Sequence, residues 1–259
     1  MLISDLRSSL RSHDRASVDI LFLITARGGS KGIPNKNLRE IGGISLVGYR
    51  AISAQKCRHC TRLVLSSDSE KIQADARSYG VEVPFTRPAE LATDQALSWE
   101  VIDHTMQWIE TEEGGTYDAI MLLEPSSPFT RPSDYDRAVE MMVSTDAQAV
   151  VAMKETEVKS VYIAPLGPKG ELTHYIDGMA ERARGRRQDG ETEFTAAGGL
   201  YLFRWEYFRK HKDIYHDRLA TFGLQIEQPY CLEIDQPIDL AYAEFLIERG
   251  FVDQKIWKS

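Results

Sequence analysis

Residues 20–37 have the sequence ILFLITARGGSKGIPNKN, an apolar run followed directly by a loop rich in glycine and cations. A short apolar run that ends at glycines is typical of a buried strand in an open sheet. The three glycines let the backbone turn tightly and bring bare N–H groups close to a ligand, and Arg27, Lys31 and Lys36 add positive charge. We therefore predict that this glycine loop, residues 26–37, binds an anion such as a chain of phosphates.

The rest of the chain alternates short apolar runs with amphipathic stretches, which is the pattern of β–α–β units. The predicted strands are 20–25, 62–66, 81–85, 119–124, 149–153 and 199–203. The predicted helices are 45–56, 69–79, 98–111, 132–143 and 237–249. This order predicts an α/β fold with a Rossmann-like, mainly parallel sheet flanked by helices.

The spacing of the glycine loop excludes two common phosphate-binding motifs. It has neither the G-x-x-x-x-G-K-[ST] spacing of a Walker loop nor the G-x-G-x-x-G of a dinucleotide oxidoreductase. Pro34 also prevents the helix that both motifs need directly after the loop. A surface turn with solvated cations is an alternative for any isolated loop of this kind. The position favours a binding site, because ligands of open α/β sheets bind at the carboxyl ends of strands.

The composition narrows the class of protein. The 259 residues include 42% hydrophobic and 27% charged residues, as in ordinary globular proteins. The net charge of −8 argues against a nucleic-acid polymer as a ligand. No apolar run reaches the roughly 20 residues that a membrane helix needs. Three cysteines cannot form a disulfide framework, so we expect reduced thiols and a cytoplasmic location.

The chain is expected to hold one domain, residues 19–259, after an N-terminal extension, residues 1–18, that lacks the apolar core of a signal peptide. Residues 154–197 interrupt the alternation because they are polar and rich in Glu, Arg and Gly. We predict that this insertion is either a lid or a dimerisation arm.

Several motifs together resemble one family. ARGGSKGIP at residues 26–34, with Lys36 and Asn37, resembles the signature loop of the sialic acid type cytidylyltransferases, which make CMP-activated nonulosonic acids. Further matches follow in the family's order: Leu65-Ser66-Ser67-Asp68, Arg87-Pro88-Ala89-Glu90-Leu91, Pro125-Ser126-Ser127-Pro128, Arg187-Gln188, 198–201 and Ile234-Asp235. The resemblance spans about residues 19–249. It implies the nucleotide-diphospho-sugar transferase type of α/β fold, commonly as a homodimer that pairs through the insertion.

The resemblance implies a nucleotide site around the glycine loop. Arg27 and Lys36 would hold the triphosphate of CTP, while Asn37 and Arg87 would position the nucleotide. This assignment agrees with the charge of the loop, since phosphoryl transfer is mainly positioning and charge stabilisation. The other candidates for nucleotide binding are Ala26, Gly28, Gly29, Ser30, Lys31, Ser67 and Asp68.

Asp235 is the expected Mg²⁺ ligand and the third candidate catalytic residue. Mg²⁺ prefers one or two protein oxygens together with phosphate oxygens and water. The family has two acidic residues separated by one, and Glu233 with Asp235 keeps this pair with Glu in place of the usual Asp. Alternatively, Asp235 caps the helix that follows it.

A second set of residues is expected to bind the sugar acid. Arg187 or its neighbour Arg186 would bind the carboxylate through its guanidinium. The other candidates are Glu124, Ser126, Ser127, Lys159 and Gln188. Glu124 replaces the family's usual Gln and Ala197 its usual Asn, so we expect an acceptor other than ordinary N-acetylneuraminic acid.

The expected reaction is transfer of CMP from CTP to the anomeric hydroxyl of a nonulosonic acid, with release of pyrophosphate. One alternative is a nucleotidyltransferase of the same fold that uses GTP or another sugar acceptor. A second is a non-catalytic nucleotide- or sugar-binding relative, which Glu124 and Ala197 favour and the retained Arg27, Lys36 and Asp235 oppose.

Overall fold

The computed structural model describes residues 18–182 and 192–258. Its main feature is a six-stranded sheet with the order β4-β1-β5-β7-β6-β8. These strands are β1 Ile20–Thr25, β4 Arg62–Ser66, β5 Ala119–Leu123, β6 Ala149–Glu155, β7 Phe194–Arg204 and β8 Thr221–Gln225. A separate two-stranded sheet consists of β2 Glu40–Ile41 and β3 Ile44–Ser45. The predicted extension lies outside the described residues, apart from Val18.

Strand β1 is the middle strand of a parallel group. It pairs with β4 on one side and with β5 on the other, so that Ile24 lies opposite both Leu65 and Leu123. The three strands therefore end at the same edge of the sheet. Strand β7 runs antiparallel to β5 and β6, whereas β6 and β8 are parallel. The predicted mainly parallel sheet is confirmed, with one antiparallel strand inside it.

Helices flank the sheet and bury both of its faces. They are α1 Leu46–Gln55, α2 Glu70–Ser78, α3 Ser98–Trp108, α4 Pro132–Thr145, α5 Thr173–Arg182, α6 Trp205–His211, α7 Pro237–Glu248 and α8 Lys255–Lys258. Successive residues of a strand point to opposite faces, and accordingly Phe22 packs in one core cluster and Leu23 in another. In the described part of the chain, none of the helices combines the length and apolar character needed to cross a membrane.

Local sequence signals determine several helix ends. The Ser45 hydroxyl accepts a hydrogen bond from the Gly48 amide at 2.9 Å at the start of α1. Pro132 begins α4, where its missing N–H has no partner within the helix. Gly250 follows α7 with a φ of +72°, a left-handed conformation that suits glycine. The predicted boundaries of these three helices are correct to within two residues.

The predicted strand 81–85 is wrong. Glu82 alone bridges to β4, where its amide donates to the Leu63 carbonyl at 3.1 Å and its carbonyl accepts from the Leu65 amide at 2.8 Å. Pro84 has no N–H to continue such a ladder. The segment therefore continues as a loop that leads to Arg87.

Strand β8 and helices α5, α6 and α8 are missing from the sequence-based assignment. In β8, Gly223 interrupts the apolar pattern, and a Cβ there would lie 2.9 Å from Cγ of Met153 on β6. Helix α3 is also shorter than predicted, because Ile109–Glu113 forms a π-helical turn that ends at Gly114. Glu124 lies just after β5 and not within it.

The insertion is shorter than predicted because its flanking strands are longer. Strand β6 continues to Glu155, and β7 begins at Phe194, where these two residues pair. Between the two strands, the described residues include a short 3-10 helix, Ser160–Tyr162, and α5. Residues 183–191 lie outside the described part.

The replacement Leu23→Ala tests the central position of β1. Leu23 is fully buried, so its truncation leaves a cavity, and we expect the free energy of unfolding in urea to fall by about 2–5 kcal/mol. Leu219→Ala is the matched control because Leu219 is 90% exposed, and it should change that free energy by less than about 0.5 kcal/mol. Equal losses in the two variants would contradict the burial of β1.

Candidate active site

A cavity of about 480 Å³ opens at the edge where β1, β4 and β5 end. The glycine loop forms one wall, and segments that follow the other strands form the rest. Of the predicted site residues, those that line it are Arg27, Ser30, Lys31, Lys36, Asn37, Arg87, Glu124, Ser126 and Asp235. Residues from distant parts of the sequence thus share one cavity.

Two cations of the glycine loop share one carboxylate. Nη2 of Arg27 and Nζ of Lys31 each lie 2.7 Å from an oxygen of Asp94. The hydrogen bond from Lys31, together with that from Arg27, lowers the pKa of Asp94. Asp94 lies in the loop before α3 and was not predicted, because the sequence shows it only as one acidic residue in a polar stretch.

The third cation of the loop, Lys36, connects it to the segment before α7. Its Nζ donates to the Ile234 carbonyl and to Oδ1 of Asp235, both at 3.1 Å. Gly32 lies against the same segment, since a Cβ there would lie 2.7 Å from the Asp235 carbonyl oxygen. The close approach of the two loops therefore requires glycine at position 32.

Two polar side chains hold the glycine loop from behind. The Gly28 amide donates to Asp68 at 2.9 Å, and Nδ2 of the buried Asn37 donates to the Arg27 carbonyl at 3.0 Å. Ala26 and Ser67 are buried, whereas a Cβ at Gly29 would meet no atom of the described residues within 4 Å. Asp68 thus supports the loop from outside the cavity lining, and Ser67 does not line the cavity either.

Arg87 reaches the cavity from the loop that follows the bridge at Glu82. Its guanidinium donates to Oγ of Ser66 at 3.0 Å and to the Ser66 carbonyl at 2.5 Å. Burial lowers the pKa of Arg87 to about 10, which still leaves it charged at neutral pH. Arg87 is therefore a fixed cation at the end of β4.

Glu124 lies on the opposite side of the cavity, directly after β5. Burial raises the pKa of its carboxyl group, and the carboxylates of Glu233 and Asp235 act in the same direction. The cations Arg50 and Lys36 oppose this shift. Glu124 is therefore a carboxyl group in a site of mixed charge.

Gly198 marks a crowded point beside Glu124. It has a φ of +56°, and a Cβ there would lie 2.7 Å from Oε1 of Glu233 and 2.9 Å from Oγ of Ser127. Ser127 is buried, and its hydroxyl donates to the Ala197 carbonyl at 3.3 Å. The predicted Ser127 therefore packs behind the cavity and does not line it.

The two candidate metal ligands have different surroundings. Asp235 is 67% exposed, pairs with Lys36 and lines both this cavity and a second one of about 850 Å³, whereas Glu233 pairs with Lys154 and lines only the second cavity. Among the described residues, no group of three or more His, Cys, Asp or Glu side chains forms a metal cage. A single exposed carboxylate next to a phosphate-binding loop fits Mg²⁺, which takes few protein oxygens. Glu233 could serve as a second metal ligand only if its ion pair with Lys154 breaks.

The alternative role of Asp235 as a helix cap is wrong, because the N-cap residue of α7 is Gln236. The amides of Asp235 and Gln236 donate to Oδ2 of Asp239 at 2.8 and 2.7 Å at the start of α7. The Asp235 carboxylate is therefore available to the cavity.

The remaining candidates for sugar binding belong to the insertion. Lys159 lies next to the 3-10 helix and, in the described part of the chain, is not among the residues that line either cavity. Arg186, Arg187 and Gln188 lie outside the described residues.

The chain matches a known protein family over most of its length. The model of the cytidylyltransferase family matches residues 21–255, nearly the whole described chain. The chain belongs to the cytidylyltransferase family. This cytidylyltransferase is 29% identical to the CMP-N,N'-diacetyllegionaminic acid synthase of Legionella pneumophila, over 88% of this chain and 96% of that relative. It is 34% identical to the N-acylneuraminate cytidylyltransferase of Escherichia coli, over 86% of this chain and 51% of that protein.

Solved structures confirm the fold class of the cytidylyltransferase. The structure of CMP:2-keto-3-deoxy-manno-octonic acid synthetase complexed with CTP aligns with a TM-score of 0.65 at 13% identity, covering 90% of this chain and 99% of that one. At this identity the likeness shows the fold alone. It is the predicted nucleotide-diphospho-sugar transferase type.

The replacement Asp94→Asn tests whether Asp94 competes with a triphosphate for the loop cations. We expect the cytidylyltransferase variant to bind CTP about threefold more tightly in calorimetric titrations, a small change because exposed ion pairs contribute little. Asp146→Asn removes an exposed ion pair with Arg204 far from the cavity and serves as the control, with unchanged affinity. Weaker binding of CTP by Asp94→Asn would show that Asp94 supports the loop instead.

Proposed function

We propose that this enzyme transfers CMP from CTP to the anomeric hydroxyl of a nonulosonic acid and releases pyrophosphate. The observation that carries the proposal is the set of Arg27, Lys31, Lys36 and Arg87 around one cavity at the strand edge. Cations in this arrangement suit the three phosphates of a nucleotide. The relatives' names, which specify CMP-legionaminate synthesis and neuraminate cytidylyl transfer, support this choice of substrates.

Binding of the triphosphate would replace the carboxylates that pair with the loop cations by phosphates. Arg27 and Lys31 would leave Asp94, and Lys36 would divide its charge between the phosphates and Asp235. These cations then stabilise the charge that develops on the phosphates as the sugar hydroxyl attacks the α-phosphorus and pyrophosphate leaves. Because Asn37 and Gly32 fix the loop before the nucleotide arrives, little reorganisation is needed during the reaction.

We propose Mg²⁺ as the cofactor, with Asp235 as its protein ligand and Glu233 as a second ligand once it leaves Lys154. When bound, Mg²⁺ would neutralise phosphate oxygens and help to orient them. Asp235 is well suited to this role because its carboxylate is exposed and its amide is held by Asp239.

The sugar acid would occupy the side of the cavity near Glu124 and Ser126. An ionised carboxylate only accepts hydrogen bonds, so Glu124 would select sugar N–H or O–H groups. We keep Lys159, Arg187 and Gln188 as candidates for binding the sugar acid, and Ser127 as a support for the pocket wall. Two alternatives to this function are the use of GTP as the nucleotide and ligand binding without catalysis. The following experiment distinguishes them from transfer of CMP.

The replacement Arg27→Ala should lower the rate of pyrophosphate release by about 100-fold or more, because a preorganised cation is lost where charge develops. The assay uses CTP or GTP with N-acetylneuraminic acid, N,N'-diacetyllegionaminic acid or 2-keto-3-deoxy-manno-octonic acid. Arg77→Ala on α2, an exposed arginine away from the cavity, is the control with normal turnover. Near-normal release from Arg27→Ala would refute the assignment. Thermal shifts with ligands but no release from the parent enzyme would identify a non-catalytic binder.

We also propose that the enzyme acts in the cytoplasm as a homodimer. The insertion exposes apolar side chains, with Ile163 at 66%, Leu166 at 65% and Ile176 at 59%. A partner subunit that covers this surface would explain the exposed apolar residues. A cytoplasmic location agrees with the three free cysteines and with the supply of CTP.

Sedimentation equilibrium tests the homodimer. The mass should be about twice the 29.3 kDa of the chain, and Ile176→Glu should shift the protein toward monomer because it places a charge in the apolar contact. Leu219→Glu, at an exposed position outside the insertion, should leave the mass unchanged. A monomer for the parent protein at micromolar concentration would contradict the homodimer.

A further inference from the structure

Arg50 is a fully buried cation in the middle of α1. Its Nη1 donates to the Ser127 carbonyl at 2.6 Å, its Nη2 donates to the Gly199 carbonyl, and its guanidinium lies 5.3 Å from the centre of the Tyr135 ring. Nε has no hydrogen-bond partner within the described residues. A buried charge is costly unless an opposite charge balances it, so Arg50 needs an anion nearby.

Two carboxylates act on Arg50, and one of them is already neutralised. Asp134 is fully buried and forms ion pairs with Arg131 at 2.9 Å and with Arg137 at 3.2 Å. Glu124 interacts with Arg50 through its charge and, in the described part of the chain, forms no ion pair of its own. Of these two carboxylates, Glu124 is thus the one without an ion pair among the described residues.

The charges around Glu124 identify Arg50 as its partner in turn. The charged groups that face Glu124 are Arg50, Glu233, Lys36 and Asp235. Lys36 is paired with Asp235, and Glu233 is paired with Lys154. Arg50 is thus the cation that remains for Glu124.

Arg50 also holds the backbone on both sides of the Glu124 carboxylate. The Ser127 amide donates to the Glu124 carbonyl at 3.2 Å, so the contact of Arg50 with the Ser127 carbonyl fixes the turn that carries Glu124. Gly199, the other contact, follows Gly198, whose Cβ position would lie 3.4 Å from Oε2 of Glu124. One guanidinium therefore fixes both the turn that carries Glu124 and the β7 segment that packs against its carboxylate.

We propose that Arg50 is a positioning residue for the sugar acid: it balances the Glu124 carboxylate and fixes the backbone around it, so that the pocket presents a hydrogen-bond acceptor to an N–H or O–H group of the sugar. The inference rests on the proposed function, because it assigns Glu124 to the acceptor side of that site. The guanidinium itself does not touch the substrate. Its effect should therefore appear in the KM for the sugar acid and depend on Glu124.

A double-mutant cycle with Arg50→Met and Glu124→Gln tests this dependence. With CTP and N,N'-diacetyllegionaminic acid, Arg50→Met should raise the KM for the sugar acid about tenfold and that for CTP less than about twofold. In the Glu124→Gln background, the same substitution should raise the KM for the sugar acid less than about threefold. Arg50→Lys, which keeps the charge, should recover most of the lost affinity for the sugar acid.

An equal increase in the KM for the sugar acid in both backgrounds would overturn the proposal, because the effect of Arg50 would then not depend on the Glu124 carboxylate. The urea midpoints of the same four proteins test the charge pair without turnover, so the pairing can be measured even in an enzyme that transfers no CMP. Glu124→Gln alone should lower the midpoint because it leaves Arg50 unbalanced. An unchanged or higher midpoint for Glu124→Gln would contradict the pairing even if Arg50→Met does not fold.

Discussion

The parallel pairing of β1 with β4 and β5 is the constraint on which the site depends. Because Ile24 lies opposite both Leu65 and Leu123, the three strands end at one edge of the sheet. The glycine loop, the support at Asp68 and the turn that begins at Glu124 all start from that edge. A shift in either register would separate the cations of the glycine loop from the other walls of the cavity. The strands are buried on both faces, so such a shift would also expose core side chains.

Carboxylates balance the cations of the site where phosphates are proposed to bind. Asp94 pairs with Arg27 and Lys31, while Asp235 pairs with Lys36. These pairs are partly exposed, so each contributes little to stability, and a polyanion can replace them. Arg50 differs because it is fully buried, and its proposed partner is the Glu124 carboxylate. The partly exposed pairs can therefore be replaced by phosphates, whereas the proposed buried pair is suited to hold the Glu124 carboxylate in place for the sugar acid.

Sequence alone predicts the elements whose signals are local. Strand β1 and the starts of α1 and α4 depend on neighbouring residues, and their prediction is correct to within one residue. Contacts between distant segments are not predictable in this way, because no local pattern indicates that Asp94 reaches the glycine loop or that Arg50 lies behind the turn at Glu124. The antiparallel direction of β7 is hidden for the same reason, since its partners are chosen by packing.

A crystal structure of the enzyme with CTP is the most direct test of the central claim that the strand-edge cavity binds the triphosphate. We expect phosphate oxygens in contact with Arg27 and Lys36, and Asp94 separated from both Arg27 and Lys31. A triphosphate bound outside this cavity, or inside it with both Asp94 ion pairs intact, would contradict this assignment.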